Sequence, residues 1–392
     1  MASKGKFTAV WLGAYYLFLF AALGVYLPYF PLYLKSLHFG SAQVGLVLAL
    51  VPGARALLPG VWGGIADRYR IRYELIVATC ALSALSFAGL WITDSFAGVI
   101  LVVGLFAIFW AAASPLVDAT AMEQQEHHGL DYGRVRLWGS IGFILATLVL
   151  GKLLDVAPRL WAVHATVLLL ALNALFSLGL PRTRPDPVEQ HPRLKELFAV
   201  RGYVVLLGCA FLMLASHGTL YGFFSLHLET LGYSKLAIGG LWSTGVVAEV
   251  LLFYFSGGLL RRFGAVRLAQ GALVLAVVRW LICATTGAAV PLVIAQGLHA
   301  FSFAAFHVSM IGLCHRLARP ELRGSAQSLL NGISYGLGQG VGIYFSGMFY
   351  DRLGASALFL ASAAVAVLGA LLAVQLSDGT AKKPFVPLGR GI

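Results

Sequence analysis

The sequence predicts an all-α membrane protein, with twelve transmembrane helices in two pseudo-symmetric six-helix bundles and both termini cytoplasmic. Three observations predict it: the composition, the spacing of apolar runs and the placement of basic residues. Of 392 residues, 59% are hydrophobic and 11% charged, whereas soluble domains carry roughly a quarter charged residues. Such a chain cannot cover a water-facing surface, so membrane lipid is its expected solvent.

A helix rises about 1.5 Å per residue through a hydrocarbon core about 30 Å thick, so one crossing needs about 20 apolar residues. Candidate spans are residues 9–34, 43–66, 75–92, 97–122, 137–154 and 160–180, then 204–228, 237–260, 266–286, 290–313, 325–349 and 355–376. Lys4 and Lys6 precede the first run, which is too long for the apolar centre of a secretory signal and is read as an uncleaved span. Residues 181–201 form the only long polar interval, with Pro181, Pro185, Pro187 and Pro192 among charges. They predict a cytoplasmic linker between an N-terminal bundle, residues 1–180, and a C-terminal bundle, residues 202–378. A cytoplasmic tail, residues 379–392, completes the expected organisation.

With the N-terminus inside, 21 of the 28 basic residues fall in cytoplasmic segments and five on the opposite face, the asymmetry that fixes membrane orientation. Arg55 and Arg279 fall inside spans. The net charge of +12 thus belongs to topology, and no Lys/Arg stripe with interleaved aromatics occurs, which excludes nucleic acid as a partner. Cys80, Cys209, Cys283 and Cys314 each stand alone in an apolar run, without disulfide or metal-ligand spacing. The two halves echo each other. Gly63-Gly-Ile-Ala-Asp67-Arg68-Tyr69 ends span two and Gly257-Gly-Leu-Leu-Arg261-Arg262-Phe263 ends span eight, 194 residues on. Gly151-Lys-Leu-Leu-Asp155 ends span five and Gly347-Met-Phe-Tyr-Asp351 ends span eleven, 196 residues on. Two near-equal offsets in the same order indicate a duplicated six-helix unit.

Gly63-x-x-x-Asp67-Arg68-x-x-x-Arg72 resembles the signature loop of the major facilitator superfamily, and with the duplication the resemblance covers nearly the whole chain. The superfamily's usual Gly is Arg70 here, and the second copy has Arg261 where the first has the acid. A narrower match runs through Asp131-Tyr-Gly-Arg134-Val-Arg136-Leu-Trp138-Gly-Ser140, Pro115-Leu-Val-Asp118, His217 with Tyr221-Gly-Phe223, and Gly245-Val-Val-Ala-Glu249. Arg279-Trp280, His299 and His307 complete it. These resemble the phenylpropionate permease-like family, related to lactose-permease-type and nucleoside proton symporters. The resemblance implies proton-coupled uptake of a small organic solute by alternating access, an aromatic carboxylate being one candidate. It also implies a monomer in a bacterial inner membrane, with a small-molecule substrate and the proton as partners.

Read without the family, the same interior residues stand out, because a charge at the bilayer centre costs about 2.5–3.5 kcal/mol. Glu249 and Arg279 lie mid-span on neighbouring helices, so Glu249 is a candidate proton carrier and Arg279 its counter-ion or a substrate contact. The bland alternative is a permanent ion pair that pins two helices. His299 and His307 suit proton stations, since an imidazole titrates near neutrality. Eight residues of α-helix separate them by roughly 80° and about 12 Å, too far for a shared metal. Asp118 is a further proton-coupling candidate, pairing with Arg55 or Arg136, or else serving locally where Pro115 frees a carbonyl. Arg136 can contact a substrate anion or simply set orientation. His217, Tyr221, Phe223, Trp280 and Tyr29 are candidate substrate contacts, with lipid-facing or helix packing as the alternative. Asp67, Arg68 and Arg72 are expected to act as a conformational gate. Gly332, Gly336 and Gly340 have the spacing for close helix contact.

Gly332-Ile-Ser334-Tyr-Gly336 matches a nucleophile elbow literally, but that motif needs a strand-to-helix turn. It lies instead inside an expected span. No Walker A loop, HExxH or dinucleotide fingerprint is present. The expectation is therefore a transporter without cofactor or metal, driven by an ion gradient, and not an enzyme. An efflux antiporter, a sugar or nucleoside symporter, and a non-transporting sensor remain open. The span-five stretch Gly139-Ser-Ile-Gly142 lacks the Gly-Pro usual in drug efflux pumps, which favours uptake.

Overall fold

The computed structural model describes residues 2–183 and 195–376, with side chains from residue 7 onward. Residues 184–194 of the expected linker and 377–392 of the expected tail lie outside the described residues, with the basic residues counted in them. Every regular element among the described residues is a helix. In chain order these are α1 (Ala2–Ser36), α2 (Ser41–Tyr69), α3 (Arg72–Ala88), α4 (Phe96–His128), α5 (Tyr132–Leu154) and α6 (Trp161–Ser177). The short α7 (Lys195–Phe198) leads into α8 (Arg201–Ser216), α9 (Gly218–Thr230), α10 (Lys235–Phe263) and α11 (Ala265–Thr285). Then come α12 (Ala289–Gly297), α13 (Phe306–Leu317), α14 (Arg323–Asn331) and α15 (Gln339–Ala373), with π-helical turns at Ala300–Ala305 and Gly332–Gly338.

Local chemistry sets the ends. The Ser95 hydroxyl accepts the Gly98 N–H and the Asp131 carboxylate accepts the Arg134 N–H, capping α4 and α5. Gly129, at φ 66°, closes α4 in the left-handed region. Arg70 closes α2 with φ 56°, which explains why a relative would place Gly there. Among the described residues, ten helical segments are long and apolar enough to cross a membrane, and α6 is a shorter apolar helix. One of the ten, Pro320–Ala373, is broken at Gly354, whose φ of 76° and ψ of 168° are not helical.

The chain divides into two compact units. Unit 1 takes the described residues up to 183 together with Gly232–Ser243, and unit 2 takes residues 195–231 and 244–376. The start of α10 belongs to unit 1 for a local reason. Asp155, just past α5, accepts the backbone N–H of Lys235 at 2.6 Å and of Leu236 at 3.4 Å. The Tyr29 hydroxyl donates to the carbonyls of Thr147 and Lys235. Within unit 1, α1 packs along α5 and α6, α3 along α4 and α6, and α2 along α4. Within unit 2, α15 packs along α8, α9 and α11, and α13 lies against α11.

The duplication reappears in packing. On α5, a Cβ at Gly142 would collide with the Leu17 carbonyl of α1. In unit 2, a Cβ at Gly338 would lie 2.7 Å from the Phe211 carbonyl of α8. Gly338 follows Gly142 by 196 residues and Phe211 follows Leu17 by 194, so both units use the same backbone-to-backbone seam. One turn further on, a Cβ at Gly342 would collide with the Ala215 carbonyl of α8.

Candidate substrate and coupling site

Several interior polar residues of unit 2 form a connected cluster around Arg279. Arg279 is wholly buried on α11. Its Nε donates to the Ala295 carbonyl at 2.9 Å, Nη1 to Ser302 Oγ at 3.2 Å and Nη2 to Gln296 Oε1 at 3.2 Å. Nη1 also meets His217 Nε2 at 3.2 Å. A guanidinium only donates, so His217 Nε2 must be the acceptor there, and His217 Nδ1 donates to the Met213 carbonyl at 2.8 Å. This pair of contacts holds His217 as one neutral tautomer at the break between α8 and α9.

Glu249 and Arg279 each have described partners of their own. Glu249 Oε2 lies 3.7 Å from His299 Nε2, while the hydrogen bonds of Arg279 go to neutral acceptors. Helix order alone does not reveal which way each side chain turns. The two elements meet through His217, whose ring is 5.9 Å from that of His299. The result is a continuous run from Glu249 through His299 and His217 to Arg279.

His307 Nδ1 contacts the Tyr335 hydroxyl at 2.8 Å. Between the two histidines, Phe303 lies 5.1 Å from the His299 ring and stacks at 6.4 Å on that of His307. The turn joining them is π-helical over Ala300–Ala305, so the angular drift of a plain α-helix does not apply. Tyr221 stacks on His217 at 6.0 Å and is half-buried. Phe223 and Trp280 are fully buried. Phe223 stacks on Tyr350, and Trp280 Nε1 donates to Ser216 Oγ while its ring lies under Arg279. Trp280 thus packs directly against the cluster.

Unit 1 holds a second polar group. Asp118 accepts the hydroxyls of Tyr16 at 2.6 Å, Ser114 at 3.0 Å and Tyr132 at 3.2 Å. Arg136 lies over the rings of Phe20 and Tyr16 at 3.8 and 5.5 Å. Tyr16 thus contacts the acid through its hydroxyl and the guanidinium through its ring. Arg55 lies 5.9 Å over Trp110. Tyr29 is fully buried, and its hydroxyl contacts are the two backbone carbonyls described above. In the expected gate, Arg72 meets Asp67 at 3.7 Å and, more closely, Glu123 of α4 at 2.8 Å, while Arg68 stacks on Tyr69. Glu123, Gln296, Ser302, Tyr16 and Tyr132 are site residues that the sequence reading missed. Gln296 carried a usable signal: an amide inside an apolar run, three residues before His299.

A family model described as the MFS_1 like family matches residues 9–361. The chain is 32% identical over 352 residues to the probable 3-phenylpropionic acid transporter of Escherichia coli (strain K12), covering 88% of this chain and 92% of that one. It is 26% identical over 367 residues to the maltose permease of Geobacillus stearothermophilus, with 93% of each covered. The crystal structure of a mutant of the nucleoside transporter NupG matches with a TM-score of 0.85 at 19% identity, covering 94% of this chain and 99% of that chain. That last likeness concerns the fold. The chain belongs to the MFS_1-like family and is a multi-pass membrane transporter of the major facilitator type, not an enzyme.

Proposed function

We propose that this transporter is a proton-coupled symporter that takes up an aromatic monocarboxylate by alternating access. In this reading it works as a monomer in a bacterial inner membrane. It crosses twelve times, with α6 as a crossing and Gly354 dividing the last long segment into two, and both termini are cytoplasmic. The observation that carries the coupling is the Glu249–His299 contact, joined through His217 to a buried Arg279.

The charges of the cluster supply the mechanism. With Glu249 ionised and His299 neutral, the empty site of unit 2 balances one carboxylate against Arg279. A substrate anion alone leaves one excess negative charge, and a proton alone leaves one excess positive charge. Together they restore neutrality, with the proton taken by the Glu249–His299 pair. Since a net charge at the bilayer centre costs about 2.5–3.5 kcal/mol, the carrier turns over readily only when empty or when loaded with both. The 32% identity to a probable 3-phenylpropionic acid transporter supports the choice of an aromatic acid.

The test is accumulation of labelled 3-phenylpropionate in proteoliposomes under an inside-alkaline pH gradient. Protein-free liposomes correct for the neutral acid that crosses lipid unaided. Accumulation above that background is expected, and its absence refutes the proposal.

A further inference from the structure

We infer that Gln296 is a specificity-determining residue: its side-chain amide N–H groups, with His299 Nδ1 beside them, receive the carboxylate of the substrate. The inference deepens the reading of the chain as an organic-anion transporter and rests on it.

The orientation of the amide follows from its neighbour. Arg279 Nη2 donates to Gln296 Oε1, and because a guanidinium cannot accept, the amide oxygen must face it and the amide nitrogen must point elsewhere. That nitrogen is buried without a hydrogen-bond partner, and so is Nδ1 of His299. The two residues are 3% and 8% exposed. Folded proteins leave few such groups unpaired. Three residues apart along the chain, their side chains are neighbours on one helix face.

The ligand chemistry follows from what these groups need. A carboxylate is acceptor-only and offers about four lone-pair sites. It can take an amide N–H from Gln296 and, once the Glu249–His299 pair has its proton, Nδ1–H from His299. Arg279, against the same amide, supplies positive charge that favours an anion over a neutral acceptor of similar shape. The facing helix α10 comes close here and presents Gly245, with no side chain of its own. A Cβ on Gly245 would lie 3.4 Å from both Gln296 Oε1 and His299 Cδ2. Arg279 is on this view a positioning residue, holding the amide so that its nitrogen, and not its oxygen, meets the substrate.

The experiment measures binding of 3-phenylpropionate and of 3-phenylpropionamide to purified full-length protein, at one pH and with no gradient. Gln296→Glu keeps the shape and an acceptor for Arg279 while removing the donor. Gln296→Met, which removes the donor without adding a charge, is read beside it, so that loss of the N–H is separated from repulsion by the new carboxylate. The wild type is expected to prefer the acid over the amide. Both variants are expected to weaken the acid about tenfold or more, the range for a hydrogen bond to a charged group, and to leave the amide within about threefold. If Gln296→Glu does not fold, Gln296→Met carries the comparison alone. Acid affinity unchanged in Gln296→Met, or equal loss of both ligands, overturns the role of Gln296. A wild type with no preference for the acid overturns the carboxylate assignment. Because binding is read without a gradient, these failures are separate from failure of proton coupling.

Discussion

Glu249→Gln keeps the size of the side chain opposite His299 and removes one negative charge from the cluster. In the variant, the empty site of unit 2 carries the uncompensated guanidinium of Arg279, while the site holding a substrate anion is neutral without any proton. Return of the empty carrier is therefore the step that suffers. A penalty of about 2.5–3.5 kcal/mol for one net charge, at 1.36 kcal/mol per decade, slows it by about a hundredfold. Exchange of external for internal substrate needs only the loaded form and is expected to stay within about threefold of wild type. For the wild type, one pH unit is worth 1.36 kcal/mol, which sets a limit of about tenfold accumulation for one proton per anion. A membrane potential is worth about 2.3 kcal/mol per charge per 100 mV, yet it has no leverage on an electroneutral cycle. The assay is proteoliposome uptake with the pH difference and a potassium-diffusion potential imposed separately, together with counterflow. If Glu249→Gln accumulates substrate like wild type under the pH gradient, Glu249 is not part of the proton site. If wild-type accumulation follows the potential at zero pH difference, the charge balance is wrong.

Arg279→Met strands the Ala295 carbonyl, Gln296 Oε1, Ser302 Oγ and His217 Nε2, each at about 1–3 kcal/mol if left unpaired. The thermal midpoint and acid binding should both fall, and an unshifted midpoint would contradict the buried geometry. Arg70→Gly relieves a left-handed backbone position on an exposed residue and should stabilise the protein by about 1 kcal/mol, read as a higher unfolding midpoint. Gly142→Ala drives a methyl group into the Leu17 carbonyl and should cost about 1–3 kcal/mol or more, seen as a lower midpoint or loss of folded yield. Gly338→Ala should behave alike in the second unit. Asp155→Ala uncaps α10 and should cost about 1 kcal/mol by the same measurement.

Long apolar runs were enough to make the helices legible, because lipid demands length and hydrophobicity of every crossing. The duplicated offsets relate the glycine seam at Gly142 to that at Gly338, which continues at Gly342. The cluster was legible as a set of residues and not as a set of bonds. Charge alone drew attention to Glu249, Arg279, His217 and His299. Which of them touch depends on side-chain direction, and near His299 on a π-turn that no α-periodicity encodes. Asp118 was open to an arginine partner or a local role, and its described contacts are the hydroxyls of Tyr16, Ser114 and Tyr132. Gln296 escaped because a search for ionisable groups passes over a neutral amide.

The shared seam also gives the two halves a common ruler. Counting eight residues back from Gly63 on α2 reaches Arg55, and eight back from Gly257 on α10 reaches Glu249. The two positions correspond under the 194-residue offset of the repeated motif, and one carries a cation where the other carries an acid. An unfused ancestor assembled from identical chains would have had to carry the same sign twice. A duplicated chain, unlike a pair of identical chains, is free to differ in sign at such matched positions.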